Sequence, residues 1–542
     1  MGQQLNAFAT GESGAISIQF KAIGDGVAKR NVLAPGLAVF LATAAIISGI
    51  LFIFIIRANG GVFGFSLDDA YIDLALGSHI LDGHYGLNPN EAASPSSSII
   101  FPFLVAMLLK LGGGQVTVLL VNLLFTTIAI FILVVLIADA GIDLSRISRW
   151  RVLVAASALL LGLNLIGVAF TGLEHPIHIA DTLACLLGIV RAIRTGRMPW
   201  WLPVVLVLNP LIRFEGLSVW AAGIIVLWKQ KPAAALLTLA AGLFFVASFS
   251  LYLHHLGLPL LPSSVMAKSS VAGSVGIAAA FERALSNLLE NLRQYGAVQL
   301  LALLALLTTA FVYNRTIRDI ALFAALPILA HLVFGAFGWF GRYEIYVLTL
   351  GLSAVLVLYT HVVSRWLTAA LSVFAAGTLI WFIAQAGYVL TTLLTPRATH
   401  EIYLQQFQMH RFATEFWHMP VAVDDLGWVS YGNPNYVLDL WGLGSEAARV
   451  ARAKAGSGAI WMEQLVQQHH VGLAMIFTSW FPARPADWVE LATLTLDDRP
   501  VAAGDRTVTF FATNPGARVE LENALKRFAP TVPPGATLAL NF

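Results

Sequence analysis

LAPGLAVFLATAAIISGILFIFII, residues 33–56, carries no charged side chain, and eight residues after it the chain reads Phe65-Ser66-Leu67-Asp68-Asp69-Ala70-Tyr71. About 20 consecutive apolar residues are what a helix needs to cross the hydrocarbon core of a bilayer. The first stretch therefore predicts a membrane span, and the second lies where that span emerges. Residues 1–32 are polar and Gly-rich, so the run predicts a signal anchor rather than a cleaved leader. The loop that Asp68 opens extends to about Ser98 and holds Asp73, His79, Asp82, His84 and Glu91. Ser66 would cap a helix whose first turn contains Asp68 and Asp69, where the helix dipole favours them. Ala70–Leu81 supports that reading, with apolar residues at helical spacing. The same geometry would also hold a carboxylate towards a site, and paired acids in a cleft are a common catalytic device.

The composition extends this reading to most of the chain. Of 542 residues, 58% are hydrophobic and 11% charged, against about 25% charged in a soluble domain. A polytopic membrane protein is expected, in contact with the lipid bilayer. The single cysteine, Cys185, excludes a disulfide framework. A net charge of +2 gives no sign of a nucleic-acid partner. Apolar runs predict about 11 transmembrane helices, near 33–56, 116–138, 152–170, 177–193, 200–212, 214–228, 233–256, 298–313, 319–340, 343–361 and 367–394. The shorter Ile99–Leu111 ends in Gly112-Gly113-Gly114 and is predicted to lie along the interface. That choice collects fourteen basic residues on one side: Lys21, Lys29, Arg30, Arg146, Arg149, Arg151, Arg191, Arg194, Arg197, Lys229, Lys231, Arg315, Arg318 and Arg365. By the positive-inside rule this side, with the N-terminal tail 1–32, is cytoplasmic and the C-terminus lies outside.

From about Thr395 polar residues return to soluble frequencies. Short buried strands are expected at 421–425, 471–477 and 507–511, with helices at Ser445–Lys454, Trp461–His469 and Ala517–Phe528. The expected organisation is an all-α membrane domain over 33–394 and an external α/β domain over 395–542. Asp424-Asp425 is a second acid pair, ranked below Asp68-Asp69 because a strand-to-helix turn explains it equally well. No glycine-rich nucleotide loop is present, which argues against a cytosolic nucleotide-sugar enzyme.

On this topology the unusual residues gather on the outer face. They are Thr171-Gly172-Leu173-Glu174-His175-Pro176, Leu211-Ile212-Arg213-Phe214-Glu215-Gly216, Leu261-Pro262-Ser263-Ser264-Val265-Met266-Ala267-Lys268 and Gly341-Arg342-Tyr343-Glu344. Ionisable residues at membrane depth are costly and usually line a cavity or pathway. Snorkelling to the interface would account for Arg342 or Lys268 singly. Arg213, in the turn of a short helical hairpin, is harder to place that way.

In order along the chain, Asp68-Asp69-Ala70-Tyr71-Ile72, Gly86-Leu87-Asn88-Pro89, Ser94-Pro95-Ser96-Ser97-Ser98, Thr171–Glu174, Ile212–Gly216, Leu261–Lys268, Arg342-Tyr343, Asp425-Leu426-Gly427 and Asp439–Leu443 resemble the motifs of the GT-C superfamily. These are integral-membrane glycosyltransferases that use polyprenyl-phosphate-linked sugars, and the nearest group is the mycobacterial terminal arabinofuranosyltransferases. The likeness covers about residues 33 to 445. Arg213-Phe214-Glu215 stands where the family usually reads Arg-Pro-Glu, and Ser263-Ser264 replaces a common Asn-Thr. The resemblance implies a bacterial inner-membrane enzyme with a periplasmic active site. It would move a sugar, with a pentose such as arabinofuranose suggested, from a polyprenyl-phosphate donor to a cell-envelope glycan or lipid acceptor.

It further implies Asp68 as general base and Asp69 as its support. Arg213, Lys268 and Arg342 would bind the donor phosphate, and Glu174, His175, Glu215 and Tyr343 would contact sugar or acceptor. Such chemistry needs cations preorganised for the leaving phosphate. A monophosphate leaving group requires no metal or other cofactor, and the spacing of His79, His84, His175 and His178 forms no zinc pattern. A lipid-linked glycan flippase or polymerase, or a transporter, is the alternative class. Few polar residues fall mid-span (Asn122, Asn164, Asp181, Asn209), which favours interfacial chemistry over transport.

Overall fold

The computed structural model describes residues 26–268, 276–313, 317–456 and 458–542. Lys21 and Arg315, and the side chains of Lys29, Arg30 and Lys268, lie outside the described residues. Among the described residues, five helices are long and apolar enough to cross a membrane: Ala34–Ala58, Gln115–Asp139, His175–Thr195, Pro232–His255 and Tyr295–Tyr313. Two bent pairs raise the number to as many as seven. Ile345–Leu358 turns by 82° into Thr360–Thr368, and Leu371–Ala384 by 72° into Ala386–Leu393.

The other expected spans are helical but short or broken. Leu202–Ile212 has 11 residues and Leu217–Gln230 has 14. At 1.5 Å per residue each falls short of a core about 30 Å thick. The helix expected over 152–170 divides into Arg149–Gly162 and Leu165–Ala169 at Asn164, which is left-handed with φ 47°. Asn tolerates that conformation because its short side chain bonds locally. Here the buried amide instead reaches across the bundle. It donates to the Phe340 carbonyl at 3.1 Å and accepts from the Thr392 hydroxyl at 2.8 Å. The helix expected to reach residue 340 stops at Phe334. Gly338, Trp339, Phe340 and Gly341 all have positive φ, and no right-handed helix can pass through them.

In the first loop, Asp69–Leu81 and the ten-residue Phe101–Lys110 pack tightly together. At Gly77 a β-carbon would lie 2.9 Å from Val105, so only glycine permits the approach. Phe101–Lys110 spans about 15 Å, too short to cross a bilayer.

Beyond Thr395 two short helices lead into a six-stranded sheet of order β2-β1-β3-β5-β4-β6. The strands are β1 (Val421–Val423), β2 (Val437–Asp439), β3 (Leu473–Ile476), β4 (Val489–Leu496), β5 (Thr507–Ala512) and β6 (Ala536–Leu540). β1 runs parallel to β2 and β3, and β5, β4 and β6 continue antiparallel. The three parallel strands put their carboxyl ends along one edge, where ligands commonly bind in such sheets. β1 ends there in Asp424-Asp425 and β2 in Asp439.

β2 and its flanks are locked to the first loop. The Asn88 side chain pairs with the backbone of Val437 as a strand would, donating to its carbonyl at 2.9 Å and accepting from its N–H at 2.8 Å. Glu91 accepts from the Tyr436 hydroxyl at 2.6 Å and the Ser445 hydroxyl at 2.8 Å. Tyr71 stacks on Trp428 with centroids 3.9 Å apart.

Candidate active site at the junction of the two parts

Asp68 sits at the start of the Asp69–Leu81 helix but does not cap it. Nor does Ser66, whose hydroxyl instead donates to the Phe170 carbonyl at 3.3 Å. The cap expected at Ser66 is thus replaced by a contact between distant segments. The buried Asp68 carboxylate accepts the N–H of Gly427 at 2.6 Å and of Trp428 at 2.9 Å. It also shares a hydrogen bond with the Asp425 carboxyl. Burial, and then the charge of Asp425 for Asp68 and the charge of Asp69 for Asp425, hold both carboxyls above the usual range.

Asp69 differs. It is half-buried and forms an ion pair with Arg342 Nη2. Both acids line the cavity, but Asp68 is tied to amides of the C-terminal part and Asp69 is the more open.

Arg213 and Arg342 flank the ring of Tyr343, their guanidinium carbons 6.0 and 4.8 Å from its centroid. Their surroundings are unlike. Arg213 forks onto Glu215 at 2.7 and 3.2 Å, pairs with Glu174, and lies 3.4 Å from His175 Nε2. Two carboxylates occupy its donors, so Glu174 and Glu215 orient Arg213. Arg213 lines both the largest cavity and the neck described below.

Arg342 gives Nη2 to Asp69 and, at 2.9 Å, to the Tyr343 hydroxyl. Its Nε and Nη1 are buried with no hydrogen-bond partner among the described residues. A buried guanidinium edge left open is costly unless something binds it. The loop that presents it holds Trp339 at φ 43° and Phe340 at φ 67°, a conformation that costs bulky residues energy and often accompanies function.

Three cavities meet around Tyr343. The largest, ≈ 430 Å³, is mostly apolar, with Leu217, Val265, Ala330 and Phe334 in its wall and Arg213 at its polar end. A narrow neck between Ser97, Asp69, Arg213, Arg342 and Tyr343 follows. The third, ≈ 290 Å³, is lined by Asp68, Asp69, Arg342, Asp424, Asp425 and several indoles. The rival acid pairs of the sequence thus form one wall.

Residues 400–511 match a family model described as a domain of unknown function, DUF8728. No curated protein matches the chain. The matched stretch contains Asp424, Asp425, Asp439, Trp441 and Trp480, that is, the C-terminal wall of the third cavity and the acid that shapes it. Asp439 accepts the N–H of Trp441 at 2.8 Å and of Gly444 at 2.7 Å, which turns the chain so that Trp441 meets the cavity. The indoles carry no periodic signal and went unmarked in the sequence reading as a group. Trp441 stood inside a quoted motif. Among the described residues no three or more His, Cys, Asp or Glu side chains are grouped as metal ligands.

The acid pair makes stability pH-dependent. Asp68, Asp424, Asp425 and Asp439 all bind protons more tightly folded than unfolded, first because of burial. Stability falls with rising pH wherever the native state holds more protons. Their contribution is complete below the unfolded carboxylate pKa of about 4. It is lost as pH rises through the folded values, about 6 for Asp439 and raised for the others. The melting temperature should therefore drop between about pH 4 and 7, and Asp425→Asn should flatten the slope. An equal slope in that variant would show that the pair does not share a proton.

Proposed function

We propose that the protein is a membrane glycosyltransferase that moves a sugar from a polyprenyl-phosphate donor to an acceptor hydroxyl at the outer membrane face. The single observation that carries this is the open edge of Arg342, buried in a neck between an apolar cavity and an acid-lined one. An isoprenoid tail suits the first cavity, a phosphate the guanidinium, and a hydroxylic acceptor the third. The order of motifs shared with GT-C enzymes supports the same assignment.

In this reading Arg342 holds the donor phosphate through Nε and Nη1. Asp69 takes the proton of the acceptor hydroxyl, whose oxygen bonds to the anomeric carbon as the bond from that carbon to the phosphate oxygen breaks. Polyprenyl phosphate leaves with its new charge against Arg342. Asp68, bound to Asp425 and two amides, positions Asp69 and closes the site from the C-terminal side.

The test is incubation of protein in lipid nanodiscs with a panel of radiolabelled polyprenyl-phosphate sugars, pentose and hexose, followed by chromatography of the lipid. Turnover of at least one donor is expected. No donor turned over, or movement of intact donor across proteoliposomes, would reject the assignment.

The accompanying topology has a cytoplasmic N-terminus and an outer C-terminal part, on the strength of the fourteen-residue basic asymmetry. Cys185 is buried, which leaves single introduced cysteines readable. Ser145→Cys and Ala453→Cys, both at exposed positions, should label from opposite sides of the membrane. Labelling of both from one side would overturn the arrangement.

A further inference from the structure

We infer that the C-terminal sheet domain builds a carbohydrate-binding subsite into the third cavity, which receives a sugar ring of a neutral glycan acceptor. This rests on the proposed transferase reading for the word acceptor, but not for the binding.

Three observations carry it. The first is an unsatisfied polar atom. Asp424 is 3% exposed, its Oδ2 accepts the Phe477 N–H at 2.7 Å, and Oδ1 is buried in the cavity wall with no partner among the described residues. A buried carboxyl oxygen in that state costs free energy unless a ligand supplies a hydrogen bond. A sugar hydroxyl is the fitting donor.

The second is the aromatic lining. Trp339, Trp441 and Trp480 face the same space, and Trp441 and Trp480 meet at 52° with centroids 4.9 Å apart. Both are held. The Arg452 guanidinium covers Trp441 at 3.6 Å, and the backbone of Gly504 approaches so closely that a β-carbon there would lie 2.5 Å from the Trp480 ring. Fixed, partly exposed indoles offer flat apolar faces at little entropic cost. The C–H face of a sugar ring stacks on such a surface while its hydroxyls reach the surrounding acids.

The third is charge. Asp68, Asp69, Asp424 and Asp425 share this cavity, while the cation among its described lining residues, Arg342, stands at the neck. An anionic ligand would meet carboxyls on the domain side, whereas a polyol finds acceptors. At ≈ 290 Å³ the space lies at the small end of ligand sites, with room for a ring and part of its neighbour.

The experiment needs no donor. Full-length protein in nanodiscs is titrated with linear pentasaccharides of arabinofuranose, mannose and galactose, and with a phosphorylated mannose pentasaccharide, by saturation-transfer NMR. At least one neutral probe should bind, and more tightly than the phosphorylated one. Trp480→Ala and Asp424→Asn should each weaken binding at least ten-fold in protein that remains folded, as read from its melting transition. Trp480→Phe, which keeps a ring, should retain most of it. Absence of binding by every neutral probe, preference for the phosphorylated one, or equal affinity in Trp480→Ala and Asp424→Asn overturns the subsite. Glycan binding without turnover of any donor would reject the transferase reading and leave the subsite standing. Donor turnover without glycan binding would do the reverse.

Discussion

Arg342→Gln is expected to reduce sugar transfer at least 10²-fold while the protein remains folded. The magnitude follows from removing one preorganised donor at a site of developing charge, which typically costs about 10²–10³ in kcat. Arg342 is the residue for this because Nε and Nη1 are buried without a partner among the described residues, while Nη2 is already engaged by Asp69 and Tyr343. Glutamine leaves Asp69 without its ion pair. That acid is half-open, so the loss is small in stability. Arg342→Lys should recover only part of the rate, because an ammonium is a point charge and cannot present two parallel N–H groups to a phosphate.

Arg213→Gln should behave in the opposite way. It strands Glu174, 2% exposed, and Glu215 around a hole where their shared cation stood. Breaking a buried pair by removing one partner costs about 3–5 kcal/mol, so this variant should lose melting temperature first and activity as a consequence. Transfer rate, donor KM and melting temperature measured together separate the two arginines. Normal transfer in folded Arg342→Gln would remove the phosphate site, and with it the mechanism.

Asp69→Asn should be the second large effect, lowering transfer by the general-base factor of about 10²–10⁴ with donor binding retained. The amide keeps the size of the side chain and loses the basic oxygen. Asp68→Asn should act elsewhere. Asp68 accepts two backbone N–H groups and shares a hydrogen bond with Asp425. One amide oxygen can replace only one of its acceptors, and the NH₂ group then faces the N–H of Gly427 or Trp428. Looser docking of the C-terminal part is expected, read as a lower melting temperature and faster proteolysis between residues 395 and 420, with a smaller loss of transfer. If Asp68→Asn abolishes transfer at full stability while Asp69→Asn is active, Asp68 is the base and the assignment reverts to the one the sequence suggested.

How far the sequence reached varies by element. An apolar run such as 33–56 or 116–138 is a local property of twenty or more residues, and both helices are where the runs predict them. The same holds for β1, β3 and β5, whose buried residues form short apolar runs. β2, β4 and β6 escaped. β2 has three residues and gains an edge partner from Asn88, 349 positions away, β4 mixes exposed and buried positions, and β6 lies at the sheet's rim with alternating half-exposure. Helix ends escaped too. Asn164 and the four positive-φ residues at 338–341 interrupt apolar runs that read as continuous.

For the site, local sequence determined which residues carry charge at helix ends: Asp68, Asp69, Glu174, Arg213, Glu215 and Arg342 were all legible, because a charge beside an apolar run is costly without a purpose. Only the tertiary structure decided their partners. Arg213 is spent on two carboxylates, Arg342 keeps a free edge, and Asp68 meets Asp425 across 357 residues. Hydrogen bonds and burial are set by groups that chain folding brings together from far apart. No spacing along the chain encodes which of two arginines will find a carboxylate first.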